Sequence, residues 1–183
     1  MHAYGKGVAH AALGEITESE RAQVDFRRLK NRISDDLIFL SNPVVVMLAV
    51  GEAMLEGELE YRKGNYEAAF ASLRCAVQRD DDLNYTEPWA WMHPPRHALG
   101  ALLVEQGRFE EAEAVYRADL GYDTSLARCT QHPDNVWALH GLLECVERSG
   151  DGPEARLLRQ RLKMAQARAD VAITSSCCCR AMR

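Results

Sequence analysis

The sequence predicts an all-α fold, an α-solenoid of about four antiparallel helix pairs with long loops between the pairs. Three observations predict it. Glycines recur in couples seven residues apart: Gly7 with Gly14, Gly57 with Gly64, and Gly100 with Gly107. A small residue stands five places after the closing glycine, at Ala69, Ala112 and, counted from Gly150, Ala155. The stretches between these blocks are rich in Asp, Asn, Pro and Gly, the residues of turns and loops.

Each element follows from that pattern. A glycine inside a helix costs about 1 kcal/mol relative to alanine, so its recurrence implies a second helix approaching closely at that point. The closing glycine suits the left-handed conformation that ends a helix. Two helices separated by a tight turn, each with small residues at fixed offsets, describe a closely packed hairpin. The segments opening the second helices are "NYEAAFASLRCAV", "RFEEAEAVYRADL" and "DGPEARLLRQRLK". Two positions depart from the pattern. The fourth block carries Leu143 at the first-glycine place, and the first block carries Ser19 at the alanine place.

The turn glycines 14, 64, 107 and 150 are separated by 50, 43 and 43 residues. The links "NRISDDLIFLSNP" (31–43), "RDDDLNYTEPWAWMHPP" (79–95) and "GYDTSLARCTQHPDN" (121–135) fill the excess. Links this long are uncommon unless they carry a function or are disordered. Pro94 and Pro95 place a helix start near Pro95, because proline is favoured in a first helical turn. Trp89 and Trp91 stand two apart in an extended run, so both are expected to pack the link against the adjoining repeat. The helical domain is expected over residues 1–172, followed by a cysteine-rich tail, 173–183.

"LGALLVEQGRFEEAEAVYRADL" (99–120), with Leu99, Gly100, Gly107, Ala112 and Tyr116 at signature places, resembles the tetratricopeptide repeat. The resemblance covers residues 2 to 168, although the repeat is usually about 34 residues long. It implies that the first helix of each pair lines a concave binding groove. The groove residues it implies are Tyr4, Met54, Glu58, Tyr61, His97, Trp137, His140 and Glu144. Members that bind chaperone tails clamp a terminal carboxylate with lysine and asparagine. The matching places here hold Tyr4, Val8, Leu55, Pro94 and Ala98, which do not support that partner class. The expected function is binding of a peptide or partner protein. The ending "ARADVAITSSCCCR" (167–180) also looks like the terminus of longer microbial repeat proteins that finish in Cys-x-Cys-Arg, which implies that the chain is the C-terminal portion of such a protein. An extra central cysteine and the residues Ala181, Met182 and Arg183 are departures from that ending.

His140 and Glu144 lie four apart on one helix face, with His97 expected opposite. Two imidazoles and a carboxylate are a donor set for Zn²⁺. Cys177 and Cys179, alternate residues of an extended tail, would present two sulfurs on one side, a half-site for Zn²⁺ or Cu(I). The alternative function is therefore metal binding through His97, His140, Glu144, Cys177 and Cys179. A disulfide between neighbouring cysteines of the tail would fit a redox switch better than a structural staple.

The chain has no nucleophile motif, no phosphate-cradling glycine loop and no Cys-x-x-Cys pair, so the sequence gives no sign of catalysis. Its net charge is −5 and no basic face points to nucleic acid. Seven Arg or Lys in 154–183 are expected to form a solvated face. The longest apolar run, "VVVMLAV", is far short of the ~20 residues of a membrane helix. With no secretory signal, a cytoplasmic location and no structural disulfides at Cys75, Cys129 or Cys145 are expected.

Overall fold

In a computed structural model, residues 1–180 are described, and they divide into two compact units, Met1–Pro95 and the part from Arg96 onward. The described residues are all-α apart from one minimal hairpin. Ala181, Met182 and Arg183, noted above as departures from the tail pattern, lie outside the described residues. No described helix is long and apolar enough to cross a membrane.

The first unit contains α1 (His2–Ala12), α2 (Ile16–Lys30), α3 (Val44–Arg62) and α4 (Tyr66–Asp81). Helices α1 and α2 pack as one hairpin, α3 and α4 as the next, and α1 and α2 both lie against α3. The second unit contains α5 (Pro95–Glu105) from its second residue, α6 (Phe109–Leu120), α7 (Val136–Glu147) and α8 (Pro153–Gln166). There α6 packs on α7 and α7 on α8. Helix α5 begins at Pro95, as the proline pair predicts.

The small-residue pattern has a direct physical meaning in both units. Gly14, Gly64, Gly107 and Gly150 all have positive φ, between 73° and 111°, so each closes a helix in the left-handed region. Ala69, Ala112 and Ala155 are completely buried where the paired helices meet. Ser19, the departure from alanine, is equally buried, and its hydroxyl donates to the Gly7 carbonyl at 2.9 Å, so the extra polar atom is satisfied within the hairpin. A Cβ on Gly57 would come within 2.6 Å of Leu73 on the paired helix. In the second unit the close approach of α7 occurs at Gly141 and not at Leu143, the position expected from spacing. The Tyr116 ring fills the space beside both Gly100 and Gly141.

The links are ordered by specific bonds. In link 31–43, a two-stranded hairpin pairs β1 (Ile38–Phe39) with β2 (Asn42–Pro43). The buried Asn42 side chain then pairs with the next link: its amide donates to the Asn84 carbonyl and its oxygen accepts from the Asn84 N–H, both at 2.8 Å. Asn84 returns a side-chain bond to the Ser41 carbonyl at 2.7 Å. One asparagine thus imitates a backbone ladder, and two loops hold each other in place.

Candidate functional site

In the first unit, the helix face expected to line a groove is covered by the link 79–95. Trp91 is buried, its ring occupies the space beside Gly51, and its indole N–H points at Met54 Sδ, 3.0 Å away. Tyr4 meets the Trp91 ring edge-on with centroids 5.1 Å apart, and its hydroxyl lies 3.1 Å from His93 Nδ1. The expected groove residues Tyr4 and Met54 are therefore walls of an aromatic plug. Tyr61 is buried too, with its ring against Tyr66 and Phe70 at the start of α4, so it belongs to the hairpin interior. Glu58 is buried with its carboxylate accepting from Arg62 Nε at 2.8 Å, one helical turn away. Trp89 is 44% exposed although it stands two residues from the buried Trp91: residues 90–93 form bends and not the expected extended run, so side chains two apart do not share a face there.

In the second unit, the corresponding face of α7 is occupied by the chain's own C-terminal segment. Ser176 is fully buried, with its hydroxyl accepting from the Tyr116 hydroxyl at 2.7 Å. Arg180 forks onto Glu144, with its Nη2 2.8 Å from Oε1 and its Nη1 paired with Oε2 at 2.5 Å. Cys177 and Cys179 are buried and joined to each other as a disulfide, with Cys178 between them exposed. The two cysteines do share a side, but across a turn at 178–179 and not along the extended tail expected, and the two sulfurs bond to each other so that neither is a thiolate. Burial pushes the Tyr116 phenol well above its usual range, against the bond to Ser176, which acts the other way. Burial likewise pushes the Cys145 thiol on α7 up to about 12. His140 and Trp137 are half-buried on the same helix. Burial holds the His140 imidazole below its usual value, and its Nδ1 is buried without a hydrogen-bond partner among the described residues.

His97 joins neither His140 nor the cysteines. It meets Asp119 on α6 and His132 in link 121–135. Asp119 is fully buried, and its carboxylate lies 3.0 Å from His97 Nε2, 2.7 Å from His132 Nδ1 and 2.8 Å from Asn135 Nδ2. The His132 N–H also donates to the Asp119 carbonyl at 2.6 Å. Asn135 completes the arrangement as the N-cap of α7, its Oδ1 accepting from Ala138 N at 2.8 Å. Burial alone would raise the Asp119 carboxyl, but the hydrogen bonds from His132 and His97 outweigh it and hold the carboxyl far below the usual range. Within this unit, His97, Asp119 and His132 offer ligand atoms all within 4.8 Å of one another.

The expected metal set of His97, His140, Glu144, Cys177 and Cys179 is thus divided. His97 lies with Asp119, Glu144 with Arg180, and Cys177 with Cys179. Asp119 stands in an ordinary helical pattern, and the loop position of His132 before Pro133 suits a helix start as well as a ligand, so neither is marked as a ligand by its spacing. The available signal was "HPDN", in which a histidine sits directly before a proline and a capping asparagine. Comparison with family models, with curated proteins and with solved structures gives no match to the chain.

Proposed function

We propose that the chain is a tetratricopeptide-like interaction module that binds a polypeptide segment on the inner face of α7, without catalysis of its own. The observation that supports this reading is the seating of residues 176–180 on α7. There a segment that turns at residues 178–179 is held by a buried hydroxyl pair and a two-pronged arginine–glutamate contact. A face that accepts one segment through such side-chain bonds suits another polypeptide with a hydroxyl residue followed four places later by arginine. The partner is accordingly a protein or peptide, with the tail as the resident competitor. No observation on the same face favours nucleic acid, since Glu144 and Glu147 make it acidic.

The test uses the full chain carrying Arg180→Glu, in which repulsion from Glu144 releases the resident tail. A labelled peptide with the sequence of residues 170–180 should bind this variant about tenfold more tightly than it binds the unchanged chain, because the competent fraction rises. Adding Glu144→Lys to the variant should abolish that binding. Equal affinity for the variant and the unchanged chain in fluorescence anisotropy would rule the reading out.

A further inference from the structure

We propose that His97, Asp119 and His132 form a binding site for one divalent transition-metal ion, with Zn²⁺ the best-suited occupant. The inference is independent of the polypeptide-binding reading, since none of the three residues contacts the C-terminal segment in a described bond. Three separate elements deliver the ligands: α5 carries His97, the last turn of α6 carries Asp119, and the link before α7 carries His132. Side-chain exposures of 7%, 0% and 8% place all three out of solvent.

Charge is the first argument. Asp119 is the penultimate residue of α6, where the helix dipole is negative and disfavours a carboxylate. Its hydrogen-bond partners are two imidazoles and an amide, and none is the permanently charged lysine or arginine that usually accompanies a buried acid. A neutral imidazole offers only a dipole to a buried anion. A divalent ion supplies the missing positive charge and converts all three side chains from a hydrogen-bond cluster into a ligand set.

Donor chemistry is the second argument. Two imidazole nitrogens and one carboxylate are the donor set of three-ligand zinc sites, where water takes the fourth position. Imidazole donors do not suit Mg²⁺ or Ca²⁺, and the absence of sulfur does not suit Cu(I). On binding, His97 Nε2 and His132 Nδ1 give up their N–H bonds to Asp119 and turn lone pairs to the ion, each ring keeping its proton on the other nitrogen. An outer shell is already in place. The Asn135 amide donates to Asp119 Oδ2 while its carbonyl caps α7, and the His132 backbone is tied to the Asp119 carbonyl. Such bonds orient ligands before the ion arrives.

The experiment takes the full chain, strips it with a chelator and titrates it with Co²⁺ and Zn²⁺. Zinc is then counted per chain after desalting. The expected result is one ion per chain, a raised melting temperature, and visible d–d absorption of Co²⁺ with no thiolate charge-transfer band. Asp119→Asn, which keeps a hydrogen-bonding side chain of the same shape, and His132→Gln should each weaken binding by at least about 100-fold, more than loss of an outer-shell partner does. The proposal is overturned if the unchanged chain retains no ion, if thiolate bands place the ion on the cysteines, or if both folded variants retain it. Should a variant fail to fold by circular dichroism, the Co²⁺ spectrum of the unchanged chain decides the matter.

Discussion

In the first unit the face of α3 at Gly51 and Met54 is closed by an indole from the later part of the link that follows α4, whereas in the second the face of α7 is closed by Ser176 and Arg180 from the C-terminal segment. The first closure is apolar and has no exchangeable partner, because removing Trp91 exposes a cavity. The second is built from bonds that water or another peptide can replace, and its ion pair remains partly exposed, at 23% for Arg180 and 32% for Glu144. The difference teaches that one repeat pattern supports both an apolar plug and one held by polar side-chain bonds. Which it becomes depends on the chemistry of the segment laid across it.

The comparison can be broken most forcefully at Trp91. Trp91→Ala should destabilise the first unit by about 3–5 kcal/mol, the range for large aromatic deletions from a core, as measured by urea unfolding. A cost below about 1 kcal/mol would mean that the indole is no plug. Next in size is Gly141→Ala, whose added methyl meets the Tyr116 ring and should cost about 1–3 kcal/mol by overpacking. Shrinking the opposing ring in Tyr116→Leu should recover part of that loss in the double variant. If Gly141→Ala melts like the unchanged chain, α7 does not approach Tyr116 as closely as described.

Smaller effects sharpen the polar side of the comparison. Tyr116→Phe leaves the Ser176 hydroxyl without its donor and should cost about 1 kcal/mol, with faster amide exchange confined to residues 174–180. Arg180→Gln should cost less than about 1 kcal/mol, because partly exposed ion pairs contribute little. Its signature is kinetic: exchange in the tail rises while the first unit is unchanged, and added salt produces a similar loosening in the unchanged chain. The smallest expected effect concerns the thiols. Exposed Cys75, Cys129 and Cys178 should react with a thiol reagent at neutral pH, whereas Cys145, buried and with its pKa pushed up to about 12, should not. Raising the pKa disfavours the thiolate, so Cys145 labelling in the folded chain should gain only as pH climbs toward that value. Prompt modification of Cys145 at pH 7 would contradict its burial beneath the tail-bearing face.

The hairpins were legible because glycine and alanine report backbone proximity directly. Gly57 leaves room for Leu73, and Gly14, Gly64, Gly107 and Gly150 adopt the left-handed turn their spacing implies. Leu143 was a misleading station, since the close approach comes two residues earlier at Gly141, where Tyr116 enters. The candidate groove was legible only as a list of positions. Tyr61 stands at an inward station by register but packs against Tyr66 and Phe70, because an aromatic ring follows the nearest apolar partner. Nothing in the sequence around Asp119 announces that it will be enclosed by His97 and His132, which are separated from it by 22 and 13 residues.

By itself, the sequence determined the helices, their turns and their pairing, since these depend on residues a few places apart whose backbone preferences and sizes act locally. Tertiary structure decided what covers the inner faces and which polar side chains become neighbours. Those outcomes depend on where long links and the chain ending come to rest. Trp91 settles in the space left by Gly51, Arg180 on Glu144, and two histidines on one buried carboxylate. The physical reason is that burial and hydrogen-bond satisfaction are properties of the assembled surroundings, whereas helix propensity and turn conformation belong to the residues themselves.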